Sequence, residues 1–278
     1  MKLKYLGTAA AEAVPAPFCE CEVCENARAK GGRNIRTRSQ ALVDDRILID
    51  FCADTYLHTL RDNIKLCCID ACIITHNHSD HLYPNELFCR EKCASHMKTE
   101  KRFEMYGAYD SAETVKRDYA GYDRLVERNQ FAFHTVKPFE PFLVGDYKIT
   151  GLRADHGTEC PLIYVIEKDG RAMLYAHDTG IFPEETWEYL ASSGLCFDLV
   201  SYDCTNVLLY DFPNRGHMGL GGDAEVRERL QAMGLIHEKT VHVVNHFSHN
   251  GLAGYEELVP VAWEKGFLVS YDGMEVEF

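Results

Sequence analysis

Thr75-His76-Asn77-His78-Ser79-Asp80-His81 follows directly on the apolar run Ala71-Cys72-Ile73-Ile74. The apolar run predicts a buried strand, and the polar run predicts a turn at that strand's C-terminal end. Three imidazoles and a carboxylate packed so closely cannot be buried cheaply without a strong partner, and the C-terminal ends of strands are where α/β sheets carry their sites. In such a turn His76 and His78 can face one metal ion while Asp80 and His81 face a second.

Working outward, further β-rich runs of four to eight residues occur at Leu3–Leu6, Arg46–Phe51, Leu162–Glu167, Ala172–Ala176, Phe197–Tyr202, Thr240–Asn245 and Phe267–Tyr271. Four of the seven are followed at once by Asp or His. Helix-like stretches lie between them at Ala53–Asp62, Pro183–Ala191, Asp223–Met233 and Gly254–Lys265. The alternation predicts an α/β protein with layered sheets. Asp272-Gly273, between Val269–Tyr271 and Met274–Phe278, reads as the turn of a closing hairpin. Ser95–Asn129 carries seven basic and seven acidic residues, which predicts a solvated helical insertion over about 84–130. With no repeat and no Pro/Gly/Ser-rich linker, the expectation is a single domain, 1–278.

The chain has 278 residues, 46% of them hydrophobic, which is ample for a core and excludes disordered and fibrous classes. Its 29 Lys and Arg against 43 Asp and Glu leave a net charge of −14, a field that repels phosphate backbones and anionic lipid. That disfavours a nucleic-acid partner, although a local cation can still hold a small anion. No apolar run reaches membrane-spanning length and Met1–Tyr5 has no signal-peptide character, so a soluble, cytoplasmic protein is expected. In that setting twelve cysteines read as thiols and metal ligands rather than disulfides.

Two ions need ligands beyond the first run. His156 follows the strand-like Tyr147–Leu152, Asp178 follows Ala172–Ala176, and His246 follows Thr240–Asn245. Asp178 can bridge both ions through its two oxygens. His177 is left open between a ligand and a residue that orients one. Phe18-Cys19-Glu20-Cys21-Glu22-Val23-Cys24 forms a further cluster, in which Cys19, Cys21 and Cys24 can wrap one tetrahedral ion and leave a fourth position for a histidine. His217 lies in the Gly-rich stretch Arg215-Gly216-His217-Met218-Gly219. No G-x-S-x-G, P-loop or dinucleotide fingerprint competes.

These residues resemble the metallo-β-lactamase superfamily over nearly the whole chain, from Leu3-Lys4-Tyr5-Leu6-Gly7-Thr8 through Leu48-Ile49-Asp50 to His246. The resemblance implies a four-layer αββα sandwich with two divalent ions, zinc or manganese. It places His76, His78 and His156 on one ion and Asp80, His81 and His246 on the other, with Asp178 bridging and Asp50 bracing the loop. The C-x-C-x-x-C loop, together with His249 three residues after His246, is similar to a branch of cyclic phosphodiesterases of the carbon–phosphorus lyase pathway. In that branch these four residues hold a structural zinc, and a histidine at the position of His217 contacts phosphate and assists the leaving group. The implied activity is hydrolysis of small or cyclic phosphate esters, with Asp80, Asp178 and His217 as catalytic residues. A homodimer stays open. So do other hydrolases of the fold (lactonase, thioesterase, tRNA 3′-processing nuclease) and a non-hydrolytic metal-binding protein of cofactor biosynthesis.

Overall fold

The computed structural model describes residues 1–98, 100–209 and 215–278; Thr99 in the charged stretch and Asn214 beside the Gly-rich loop fall outside them. In β1 (Lys2–Gly7), Leu3 and Tyr5 point to one side and Leu6 to the other, the period of two that an extended chain imposes. The chain then forms β2 (Gln40–Val43), β3 (Ile47–Ile49), β4 (Ala71–Ile73), β5 (Phe103–Gly107) and β6 (Phe131–Thr135). β1 to β3 are antiparallel neighbours and β3 to β6 are parallel ones.

The second sheet repeats that plan. β7 (Pro141–Val144), β8 (Tyr147–Arg153), β9 (Leu162–Lys168) and β10 (Arg171–Ala176) are antiparallel. β10, β11 (Phe197–Asp203), β12 (Ile236–Asn245) and β13 (Leu268–Val269) are parallel. The last strand, β14 (Glu275–Glu277), crosses back to pair with β1, so each sheet has seven strands.

Four layers follow from which side chains each face buries. Ala41, Ile47, Ile49 and Ile73 of the first sheet meet Tyr164, Ile166, Met173 and Tyr175 of the second. On the outer face of the first sheet Leu42, Leu48 and Met105 pack with Val115 of α3 (Tyr109–Asp118) and Leu125 of α4 (Tyr122–Glu127). On the outer face of the second, Leu174 and Val200 pack with Trp187 of α5 (Glu184–Ser193), Val226 of α6 (Leu220–Ala232) and Leu258 of α7 (Tyr255–Glu264). Two further helices, α1 (Glu22–Lys30) and α2 (Thr55–Arg61), complete the order. The α/β, four-layer αββα architecture expected from the sequence is the one observed. Among the described residues no helix is long and apolar enough to cross a membrane.

Two local expectations need correction. The charged stretch read as a helical insertion holds α3 and α4 but also β5, paired on both sides within the sheet; Phe103, Met105 and Gly107 face the interior while Glu104 and Tyr106 are half-buried. Asp272-Gly273 does form a tight turn, with Met274 N–H donating to Tyr271 O at 2.9 Å and Gly273 at φ +89°. The strands on either side of it belong to different sheets, so it is a crossing and not a hairpin. Finally, the topology repeats in two halves although no sequence repeat is visible, because strand order depends on hydrophobic patterning that many sequences satisfy.

Candidate metal centre

Parallel strands aim their C-terminal ends the same way, and here the ends of both sheets converge. Asp50 leaves β3, the His76–His81 run follows β4, His156 follows β8, Asp178 follows β10, Asp203 ends β11 and His246 follows β12. Asp50, Asp178 and His246 adopt positive φ of 69°, 53° and 67°. That backbone region costs a non-glycine residue about 1 kcal/mol or more, so strain is concentrated where the polar side chains meet.

The structure brings the expected ligands into two adjoining groups. His76 Nε2 lies 3.0 Å from His78 Nδ1, which is 3.1 Å from His156 Nε2. His81 Nε2 lies 3.3 Å from both His246 Nε2 and Asp80 Oδ2. Asp178 stands between them: Oδ1 is 3.6 Å from His156 Nε2, and Oδ2 is 2.9 Å from His81 Nε2 and 3.0 Å from His246 Nε2. His78 is exposed and His156 half-buried, so the first group faces the opening, whereas His81 and His246 are fully buried.

The chemistry of this donor set fits two cations. For four of the five histidines the far-side nitrogen is already engaged: His81 Nδ1 with Asp50 Oδ2 at 2.7 Å, His76 Nδ1 with Thr75 Oγ1 at 3.0 Å, His156 Nδ1 with Gly216 O at 2.9 Å, and His246 Nδ1 with Thr205 Oγ1 at 2.8 Å. With the proton fixed on the outer nitrogen, the inner lone pairs converge, as in the second sphere of metal-bound imidazoles. Nitrogens about 3.3 Å apart span the edge of a tetrahedron with roughly 2.0 Å metal–nitrogen bonds. Asp178 Oδ2 is buried and makes no aligned hydrogen bond. Asp50 braces the loop as the sequence resemblance implied, its Oδ1 accepting from Thr75 N at 2.8 Å and Thr75 Oγ1 at 2.9 Å.

Electrostatics point the same way. Burial opposes a charged Asp178, yet His246 and His81 hold its carboxyl well below the usual range. Burial likewise opposes a charged His81, and Asp178, Asp80 and Asp50 together outweigh it and hold the imidazole well above its ordinary value. His76, buried without such an excess of carboxylates, is pushed down. Carboxylates kept ionised in a dry site require positive charge beside them.

Asp203 escaped the sequence reading. Its Oδ1 accepts from Met218 N at 2.9 Å and Thr205 N at 3.1 Å; its Oδ2 accepts from Asp178 N at 2.9 Å and faces His217 Nδ1 at 3.1 Å. Its oxygens are thus spent on holding the Asp178 turn and His217. Burial lowers the His217 pKa, but Asp203, followed by Asp178, raises it to about 9. His217 Nδ1 lies 3.9 Å from Asp178 Oδ1, which puts a protonated ring beside the ligand groups. The one available signal for Asp203 was that its strand, like its neighbours, ends in a polar residue. His177 lies outside both groups: its Nε2 faces Ser201 Oγ at 2.7 Å and its Nδ1 faces Asn245 Nδ2 at 3.2 Å.

A separate cluster gathers Cys19, Cys21, Cys24 and His249. His249 Nδ1 is 3.6 Å from Cys19 Sγ and 3.5 Å from Cys21 Sγ; a tetrahedral zinc with one sulfur and one nitrogen ligand separates them by about 3.6 Å. Burial raises the Cys21 thiol, but hydrogen bonds from Cys24 N–H, Cys19 and His249 bring it down to about 7, close to the thiolate a metal needs. Phe247, next to His246, exchanges backbone hydrogen bonds with Thr8 and Ala10, which anchors the turn carrying both histidines.

Residues 45–242 match the family model of the beta-lactamase superfamily domain. A diphosphatase from the PhnP family is similar in structure, with TM-score 0.73 and 22% identity over 100% of this chain and 96% of that one. Zn(2+)-bound PqqB from Methylobacterium extorquens has TM-score 0.73 and 20% identity, covering 100% of both chains. The short form of human tRNase Z has TM-score 0.64 and 17% identity over 100% and 99%. No curated protein matches the sequence. The family match over most of the chain, on the sandwich whose strand ends gather these ligand groups, makes this protein a member of the beta-lactamase superfamily with the metallo-β-lactamase fold.

Proposed function

We propose that the protein is a dinuclear metal-dependent phosphodiesterase acting on small phosphate esters. The observation that carries this reading is the second ligand group, Asp80, His81 and His246, complete beside the first and linked to it by both oxygens of Asp178. A protein that only stores or senses one ion has no need of it. When bound, two divalent ions lower the pKa of a water and neutralise charge on the phosphoryl oxygens.

The chain's own groups account for the rest. Asp178 fixes the spacing of the two ligand groups. His217, with Nδ1 held toward Asp203, has an Nε2 with no hydrogen-bond partner among the described residues, available to offer a proton to a phosphoryl or leaving oxygen. Its raised pKa keeps that proton in place at neutral pH, and general acid help of this kind is worth about 10²- to 10⁴-fold. The structural likeness to a diphosphatase and to PqqB is equal in TM-score, so the preference for hydrolysis rests on the ligand set and on His217. Cys19, Cys21, Cys24 and His249 would hold a third, structural zinc.

The test is a panel of phosphodiester, phosphomonoester, diphosphate and lactone substrates with metal-reconstituted protein. Phosphodiester turnover should dominate. Asp80→Ala should abolish it, and His217→Ala should lower kcat at least a hundredfold with metal content retained. Lactone turnover exceeding phosphodiester turnover, or a His217→Ala variant within twofold of wild type, overturns the assignment.

A further inference from the structure

In a chain of net charge −14 a cationic cavity is unexpected, yet one lies at the edge of the first sheet opposite the ligand groups. β4, β5 and β6 run parallel, and the His76–His81 run leaves the C-terminal end of β4. Asp70, Arg102 and Gln130 stand immediately before β4, β5 and β6, and so mark the other edge. Five residues of β5 at about 3.3 Å each separate the two edges by roughly 16 Å. A cavity of about 470 Å³ at this far edge is lined by Arg90, Lys92, Lys101, Arg128 and Gln130, with Glu100 as the acidic lining residue among those described.

These cations are not equally neutralised. Lys101 Nζ is paired with Asp70 at 2.7 Å. Among the described residues Lys92 and Arg128 make no salt bridge, and Arg128 is within electrostatic reach of Glu91, whose carboxylate is bonded to Arg124 and Tyr119. Arg90 is held in place by Nη2 donating to Lys101 O at 2.7 Å and Gln130 O at 2.9 Å, while its Nε is buried with no partner. Gln130 donates through Nε2 to Arg90 O at 3.0 Å, and its buried Oε1 is likewise unpartnered. A guanidinium fixed by two carbonyls, beside a lysine and an arginine with no salt-bridge partner among the described residues, is a receptor for phosphate oxygens. A second cavity of about 560 Å³ adjoins it through Arg90, His96 and Met97, and is walled by Phe51, Leu66 and Phe103.

We propose that this pair of cavities binds a small organic polyphosphate, its phosphates among Arg90, Lys92 and Arg128 and its apolar or aromatic body against Phe51, Leu66 and Phe103. More than one phosphate is called for because Lys92 and Arg128 both line the cavity without a salt-bridge partner among the described residues. The acidic surface repels anions at long range, so recognition depends on direct contact, and an apolar chamber beside the basin favours a ligand with a body over an inorganic ion.

The site is independent of the metal centre, and the test separates the two. Binding of ADP and of inorganic pyrophosphate is measured by calorimetry on metal-loaded wild type, on His78→Ala/His156→Ala, and on Lys92→Ala/Arg128→Ala. ADP binding should survive in the first double variant. It should weaken at least tenfold in the second, whose metal content and melting temperature stay those of wild type. It should also weaken with added salt. Pyrophosphate should bind at least tenfold less tightly than ADP to His78→Ala/His156→Ala. Loss of ADP binding in His78→Ala/His156→Ala with retention in Lys92→Ala/Arg128→Ala overturns the proposal, as does absence of binding of both probes at millimolar concentration. Equal affinity for ADP and pyrophosphate overturns the role of the apolar chamber.

Discussion

At the scale of single residues, Asp203 decides what His217 can do. It is fully buried, and four of its hydrogen-bond contacts run to Asp178 N, Thr205 N, Met218 N and His217 Nδ1. Because the folded-state pKa of His217 is raised to about 9, the protonated ring is the resident form at pH 7 and is lost as pH rises through that value. Asp203→Asn removes the charge that raises it. The alkaline limb of kcat should therefore move down by one or more pH units, with kcat at pH 8 falling about tenfold or more. An unchanged limb in a variant with normal metal content would show that Asp203 merely packs. Local clustering is what made the ligands readable from sequence: three histidines and an aspartate in one turn announce themselves. Asp203 is a lone carboxylate at the end of a run bounded at Tyr202, and only the packing of β11 against β10 and β12 reveals what it touches.

At the scale of elements, strands with an unbroken apolar stretch were legible, whereas the short β2 and the polar-interleaved β5 and β6 were not. β4, β9 over Leu162–Ile166 and β10 over Ala172–Ala176 are continuous apolar runs, and β11 is buried throughout, whereas β5 interleaves Glu104 and β6 interleaves His134, which pair with each other at 2.7 Å. Those polar faces gave the charged stretch its helical appearance. β12 carries a different titratable group. His242 Nδ1 accepts a hydrogen bond from Tyr202 Oη at 2.8 Å, and its ring meets Phe267 edge-on. Burial, then Arg227, pushes its pKa down to about 4. The folded state thus binds this proton less readily than the unfolded chain, whose value is about 6.5. Stability from neutral His242 is present above that value and is lost as pH falls toward about 4. The side chain is partly exposed, so the contribution is discounted to about 1–2 kcal/mol. His242→Gln keeps an acceptor for Tyr202. Between pH 7 and pH 4.5 wild type should lose about 1 kcal/mol more stability than this variant, read from urea midpoints; identical acid sensitivity would mean that β12 opens before His242 titrates.

For the whole molecule, the two sheets are joined at their ligand-bearing edge by segments far apart in sequence. The loop after β1 meets the turn after β12 through Ala10 N donating to Phe247 O at 3.0 Å and Phe247 N donating to Thr8 O at 2.9 Å. Cys19 and His249 then approach across 230 positions of sequence. Such a long-range contact must overcome a large loop-closure entropy, and a metal bound only by the folded chain supplies free energy at that point. At a free metal concentration 1,000 times its dissociation constant the gain is about 4 kcal/mol. For a chain of this size that corresponds to a shift in Tm of roughly 8–16 °C. Cys21→Ser should remove about one metal equivalent and lower Tm by about that amount. His246 is three residues from His249 on the anchored turn, so the second ligand group loses part of its support as well. Turnover should fall, but by less than in Asp80→Ala, since Cys21 touches none of the reacting groups. Full zinc content together with an unchanged Tm in Cys21→Ser would mean that backbone pairing between Thr8–Ala10 and Phe247 holds the edge without a metal, and that the four residues are thiols and an imidazole packed by the fold alone.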